Sequence, residues 1–174
     1  MNEDQHKEIQ ELLREIFNNI NSWLSFAEAK NAAIIALNVA SVPFIWDLKE
    51  PDEKNILIYI ICAGMLISTI IALFSFYPDK GTNNLDKGNH SAFDNLILYK
   101  KIAQYGKIQY LKAVFKQYAG SELQNRDIQK IEEDLADEIT YNANIVVRKY
   151  KCFCYALIIE IVMLLLLVIM IFIA

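Results

Sequence analysis

The sequence predicts an all-α integral membrane protein, with three transmembrane helices and a cytoplasmic helical bundle formed partly by their extensions. Three observations predict it. Apolar residues are gathered into three blocks, the longest of which runs to the final residue. Before and between the blocks, apolar residues recur at helical spacing. No stretch alternates apolar and polar residues as a half-buried strand does, and there is no internal repeat. The 174 residues leave room for one domain, or one small domain with attachments. The composition is 55% hydrophobic and 22% charged, against about 45–50% and about 25% for soluble globular chains. That excludes a disordered chain, a collagen-like repeat, a disulfide scaffold and a simple soluble enzyme.

Residues 1–30 form an amphipathic helix on the cytoplasmic side. Ile9, Leu13, Ile16, Ile20, Trp23 and Ala27 fall on one face, and Glu8, Glu11, Glu15, Asn18 and Ser22 on the other. The start, MNEDQHKEIQELLREIF, is acidic and has no basic n-region or cleavable apolar core, so no signal peptide is expected.

Residues 31–77 form a transmembrane hairpin with spans over 31–46 and 55–77. The first is short and irregular, with Asn38, Ser41 and Pro43 inside it. Trp23 and Trp46, 23 residues apart, would stand about 34 Å apart along a helix, which suits an aromatic anchor at each interface. The linker from Asp47 to Lys54 is short and polar, as a tight hairpin requires, and Lys30 can snorkel at the interface. The second span, from Asn55 to Tyr77, holds no charge, and Pro78-Asp79-Lys80-Gly81 stops it.

Residues 78–151 form a cytoplasmic helical segment. Pro78 to Ala92 reads as loop, and Ser91-x-x-Asp94 predicts a helix start near Asp94. Gly106 marks a break and Ala119-Gly120-Ser121 a second one. Ser121-x-x-Gln124 predicts the cap of a helix that runs on, with no proline or glycine, into the last span. That span, Cys152 to Ala174, carries one charge, Glu160, in 23 residues. It covers about 34 Å against a hydrocarbon core of about 30 Å.

Lys and Arg counts orient the spans. The segment from Pro78 to Lys151 holds twelve, the hairpin linker two beside four acids, and Met1 to Lys30 three. The N-terminus and 78–151 are therefore expected on the cytoplasmic side and the C-terminus on the far side, which in a bacterium is the periplasmic face of the inner membrane.

The net charge of −4 argues against nucleic-acid polymers as partners, because phosphate neutralisation needs surplus Lys and Arg. Cys62, Cys152 and Cys154 have neither zinc nor redox spacing and read as packing residues. His6 and His90 lie in a polar start and a loop and are not expected to hold a metal, and no phosphate-binding glycine loop occurs. Glu132, Glu133, Asp134, Asp137 and Glu138 read as a solvated helix face. Neither an enzyme nor a cofactor is expected. Glu160 either bonds a neighbouring helix or snorkels, or else contacts another protomer or a pore, while Asn38 suits hydrogen bonding between spans. Tyr99, Tyr105, Tyr110, Tyr118, Tyr141 and Tyr150, with Lys100, Lys101, Lys107, Lys112 and Lys116 interleaved, either fill and cover a small bundle or stack a base and neutralise a phosphate.

Several strings then point together. Trp23-Leu-Ser-Phe-Ala-Glu-Ala-Lys-Asn-Ala-Ala-Ile-Ile-Ala-Leu-Asn38 resembles the opening of the first span in the Pycsar transmembrane effector family (PycTM) of bacterial anti-phage defence. Phe76-Tyr77-Pro78, the polar loop after it and Asp94-Asn95-Leu96-Ile97 are similar to that family's second-span exit. Ile139-Thr-Tyr-Asn-Ala-Asn-Ile-Val-Val-Arg148-Lys149-Tyr150-Lys151 resembles its basic approach to the last span. The resemblance implies a cyclic CMP or cyclic UMP ligand, made by a partner pyrimidine nucleotide cyclase. It also implies an action that impairs the bilayer of the inner membrane and causes abortive infection. Lys30, Asn95, Arg148 and Lys149 are then expected to contact the ligand. A homo-oligomer is expected, because three spans cannot enclose a pore. The alternative is another nucleotide-triggered, or ligand-independent, small membrane interaction protein without pore-forming activity.

Overall fold

A computed structural model describes residues 3–47, 56–78, 86, 88 and 90–173. The chain is helical along nearly all of this length. Helix α1 covers Glu3–Asp47, α2 Ile56–Phe74, α3 Tyr99–Ile102, α4 Lys107–Val114 and α5 Lys130–Ile173. A wide π-type turn, Phe115–Ala119, follows α4 directly and ends at Gly120, whose φ of 62° is the left-handed conformation that glycine adopts without strain. No strand occurs among the described residues.

Three of these helices are long and apolar enough to cross a bilayer: α1, α2 and α5. The continuity expected at both ends is present, since α1 is a single helix of 45 residues and α5 one of 44. Pro43 is accommodated within the last turns of α1.

The chain divides into two compact units, and α1 and α5 each contribute to both. The first comprises Met1–Ser25 and Asp79–Val147, the second Phe26–Pro78 and Arg148–Ala174. In the first unit, the stripe read from the sequence is buried at Ile9, Leu13, Ile16 and Ile20. The α5 face at Ala136, Ile139, Ala143 and Val146 is buried too, with Leu96, Ile102, Tyr105, Tyr110, Leu111, Val114 and Phe115 from the intervening chain. Each of the large aliphatic side chains and Phe115 contributes about 1.5–3 kcal/mol on burial, more than the exposed ion pairs that surround it. Polar contacts fix the registers. Asn142 donates from Nδ2 to Asn21 Oδ1 at 2.9 Å, and the Tyr110 hydroxyl donates to the Leu96 carbonyl at 2.9 Å.

The second unit is built as helices pack in lipid, with small residues and hydrogen bonds inside and large apolar residues outside. Gly64, Ser68 and Ala72 make a buried small-residue stripe on α2. Ile45, Ile58, Ile61, Met65 and Met170 form one buried cluster, and Ile34, Ala72 and Ala156 another. Ile56, Phe74, Tyr155 and Phe172 face outward.

The second span is helical over Ile56–Phe74, and Ser75, Phe76 and Tyr77 close it as a turn. The structure corrects three local expectations. No helix starts at Asp94; regular helix begins at Tyr99. Side chains have claimed the local backbone there, because Asp94 Oδ2 accepts from the Ser91 N–H and Asn95 Oδ1 accepts from the N–H groups of Ile97 and Leu98. Ser121 and Gln124 do not cap α5. The cap lies further on, where Glu132 Oε2 accepts from the Gln129 N–H at 3.0 Å. Glu132 is also not part of a solvated face: it is fully buried, and its Oε1 meets His6 Nδ1 at 2.5 Å. The hairpin linker and the Asp79-Lys80-Gly81 stop lie outside the described residues.

Candidate functional site

The first unit contains a cavity of about 400 Å³, within the range of about 300–1,000 Å³ typical of small-molecule sites. It is lined by His90, Ser91, Ala92, Ala113, Lys116 and Gln117, with the buried Tyr105 as its floor. The break at Gly106 places Tyr105 here. It ends one short helical segment and starts α4, with Gly106 extended at φ −75° and ψ 156°, so Tyr105 and Lys116 come from separate elements.

The floor is tightly held. The Tyr105 hydroxyl donates to Asp94 Oδ2 at 2.6 Å, Lys101 Nζ lies 3.1 Å from the same oxygen, and the Ser91 N–H donates to it at 3.0 Å. Together they lower the Asp94 carboxyl from its ordinary 3.8 to about 2, the Tyr105 bond contributing most, then Ser91, then Lys101. Burial and the Asp94 charge push the Tyr105 phenol up, so it stays a donor throughout the physiological range. The His90 ring lies flat on the Tyr105 ring, centroids 3.7 Å apart and planes 17° apart, and its Nε2 engages Asp86 Oδ1. Tyr110 meets Tyr105 edge-on at 6.1 Å.

Lys116 stands on the rim beside Glu122, at 3.7 Å. It also borders a neighbouring hollow of about 230 Å³, together with Lys112, Glu122 and Leu123. The cavity thus gathers the stacked His90 and Tyr105 rings, the Ser91 hydroxyl, the Gln117 carboxamide and the Lys116 ammonium, with Lys112 in the neighbouring hollow. That set suits a flat heterocycle with a single negative charge.

The residues expected to bind ligand are divided between the units. Asn95 belongs to the first, where its side chain organises the turn before α3. Lys30, Arg148 and Lys149 belong to the second. Lys149 is buried, with Nζ 3.0 Å from Glu28 Oε1, donating to the Ser75 carbonyl at 2.9 Å and 5.2 Å from the Phe76 ring centre. Arg148 Nη2 donates to the Tyr77 carbonyl at 3.0 Å. These two cations therefore cap the C-terminal end of the second span, where helix carbonyls lack partners. The Lys30 ammonium sits among three rings, 4.8 Å from Phe26, 5.1 Å from Tyr150 and 5.2 Å from Phe153. Asn38 donates from Nδ2 to the Met65 carbonyl at 3.2 Å, joining α1 to α2. Asn38 and Glu160 are each 2% exposed and lie between spans of one chain rather than on its outer face.

Sequence reasoning singled out Tyr105 and Lys116 among residues that either fill and cover a small bundle or stack a base; it did not bring His90, Ser91 and Gln117 to them. Asp86 and His90 both stand outside any helix, so their four-residue spacing carried no signal of the contact. Among the described residues no group of three or more His, Cys, Asp or Glu side chains is placed to hold a metal ion.

The Pycsar effector protein domain, PycTM, matches residues 12–174, nearly the whole chain. No curated protein and no solved structure matches it.

Proposed function

The chain belongs to the Pycsar effector family, PycTM, and from that premise we propose that a cyclic pyrimidine mononucleotide switches it from a tolerated membrane protein into one that impairs the inner membrane. The messenger is cyclic CMP or cyclic UMP from a partner cyclase, and the outcome is abortive infection. The protein acts by binding and assembly rather than by catalysis. Its first unit faces the cytoplasm, where the messenger is made. Several copies assemble, since three spans per copy are too few to enclose an aqueous path.

The observation that carries this reading is the cavity over Tyr105. A pyrimidine takes the place of the His90 ring on the Tyr105 face, where base–aromatic stacking contributes about 1–3 kcal/mol. Ser91 and Gln117 meet the base edge, and Lys116, with Lys112 next to it, meets the cyclic phosphate. Helices α1 and α5 contribute to both units, so a change at the cavity reaches the spans through continuous backbone.

A second placement puts the phosphate on Lys30, Arg148 and Lys149, favoured by the concentration of cations there. Calorimetry on the full chain in detergent separates the two. Under the first placement, cyclic CMP or cyclic UMP binds more tightly than cyclic AMP, Tyr105→Ala and Lys116→Glu each weaken binding about tenfold or more, and Lys30→Ala leaves it unchanged. The reverse pattern, with Lys30→Ala abolishing binding and Lys116→Glu silent, assigns the ligand to the second. No heat with any cyclic nucleotide refutes the proposal.

A further inference from the structure

The membrane-spanning unit contains three buried polar side chains, one from each span, whose hydrogen bonding does not close. Asn38 on α1, Ser68 on α2 and Glu160 on α5 are 2%, 0% and 2% exposed. The Glu160 carboxyl lies against both Asn38 and Ser68. The Ser68 hydroxyl donates to the Ala156 carbonyl at 3.0 Å, and the Asn38 amide donates to the Met65 carbonyl. The groups left over are all acceptors: Asn38 Oδ1 and both Glu160 oxygens have no hydrogen-bond partner.

Among the described residues no cation is recorded against them. Residues 31–46, 56–77 and 152–173 contain no Lys, Arg or His, and Glu160 is their only acid. The groups facing Glu160 from the two packed helices are the neutral Asn38 and Ser68. Leaving a bare carboxylate there is unfavourable even after relaxation, and more so in a bilayer than in a soluble core. The arrangement lacks one small positive species.

We propose that Asn38, Ser68 and Glu160 form an intramembrane proton-binding site, with the proton on Glu160 and donated to Asn38 Oδ1. One proton repairs two defects together, since it removes the charge and turns an acceptor into the donor that Asn38 lacks. A bound metal cation fits less well. Hard cations want about six oxygen ligands, whereas the three side chains offer four at most, and the Ser68 proton is already committed. Loss of the proton leaves a charge at the meeting point of all three spans, which draws water in and loosens their packing. The site is independent of the nucleotide reading, because it concerns the chain without ligand.

Infrared difference spectroscopy on the full chain in lipid nanodiscs, without nucleotide, tests the site. At neutral pH a protonated carboxylic acid band is expected that is missing in Glu160→Gln and unchanged when sodium is replaced by choline. Glu160→Gln, which copies the protonated form, keeps the wild-type melting temperature. Asn38→Ala keeps the band and moves it to higher frequency, because the O–H has lost its acceptor. A carboxylate band in place of the acid band, an acid band that emerges only when sodium is removed, or a band unmoved by Asn38→Ala overturns the proposal.

Discussion

His6 and Glu132, 126 residues apart in sequence, are joined by a buried hydrogen bond from ring Nδ1 to carboxylate Oε1 at 2.5 Å. Glu132 also caps the start of α5, and the His6 ring meets Phe115 edge-on at 5.6 Å. The pair therefore joins the beginning of α1, the beginning of α5 and the turn after α4 in the first unit. Replacing one partner leaves the other buried without its bond, at a cost of about 1–3 kcal/mol. His6→Ala and Glu132→Ala should each lower the melting temperature clearly, and the double variant should lose less than their sum. Full additivity would show that the two side chains act separately.

Asp94 sets the acid behaviour of the cavity floor. Its carboxyl is lowered from 3.8 to about 2, so the charged form is favoured in the folded chain. The stability this contributes is complete above about pH 4 and is lost as pH falls through about 2. Near-ultraviolet circular dichroism of the tyrosines should change in that window. Tyr105→Phe, which removes the largest cause of the shift, should move the change toward pH 4. A transition at the same pH in both proteins would contradict the assignment.

Gly64 on α2 packs directly against the Met163 side chain of α5. A Cβ placed there would overlap Met163 Sδ and stand 2.7 Å from its Cγ. Gly64→Ala should destabilise by about 1–3 kcal/mol through overpacking. Because the obstructing atoms belong to one flexible side chain, Met163→Ala should restore most of the loss. Equal melting of the single and double variants would place the strain elsewhere.

Helix continuity carries the coupling in this account. Two glycines inserted beside Arg148 break α5 at the junction of the two units. Nucleotide binding should persist while nucleotide-dependent toxicity in cells disappears. Toxicity at the wild-type level would show that α5 does not carry the signal.

The spans, the all-helical class and the unbroken α1 and α5 were legible in the sequence because each rests on many residues in one continuous pattern. The local starts were not. Ser91 with Asp94 and Ser121 with Gln124 both match a capping pattern. The sequence holds no sign that Asn95 would take the backbone N–H groups of Ile97 and Leu98 for a turn, or that Glu132 would cap from Gln129. Glu132 read as solvated because its acidic neighbours are; Glu133 meets Lys107 at 2.9 Å and Asp134 meets Lys130 at 2.6 Å, both partly open to water. Its true partner, His6, is far away in the chain. The cavity was half legible for the same reason, since Tyr105 and Lys116 lie in a readable helical region while His90 reaches them from a loop.

The most direct measurement uses the full chain reconstituted into dye-loaded liposomes, with cyclic CMP or cyclic UMP present on both sides of the membrane. One of the two nucleotides should release the dye, with cyclic AMP inert and Lys116→Glu shifting the response to higher concentration. Intact vesicles at saturating nucleotide, or leakage that is the same with and without it, would contradict the account.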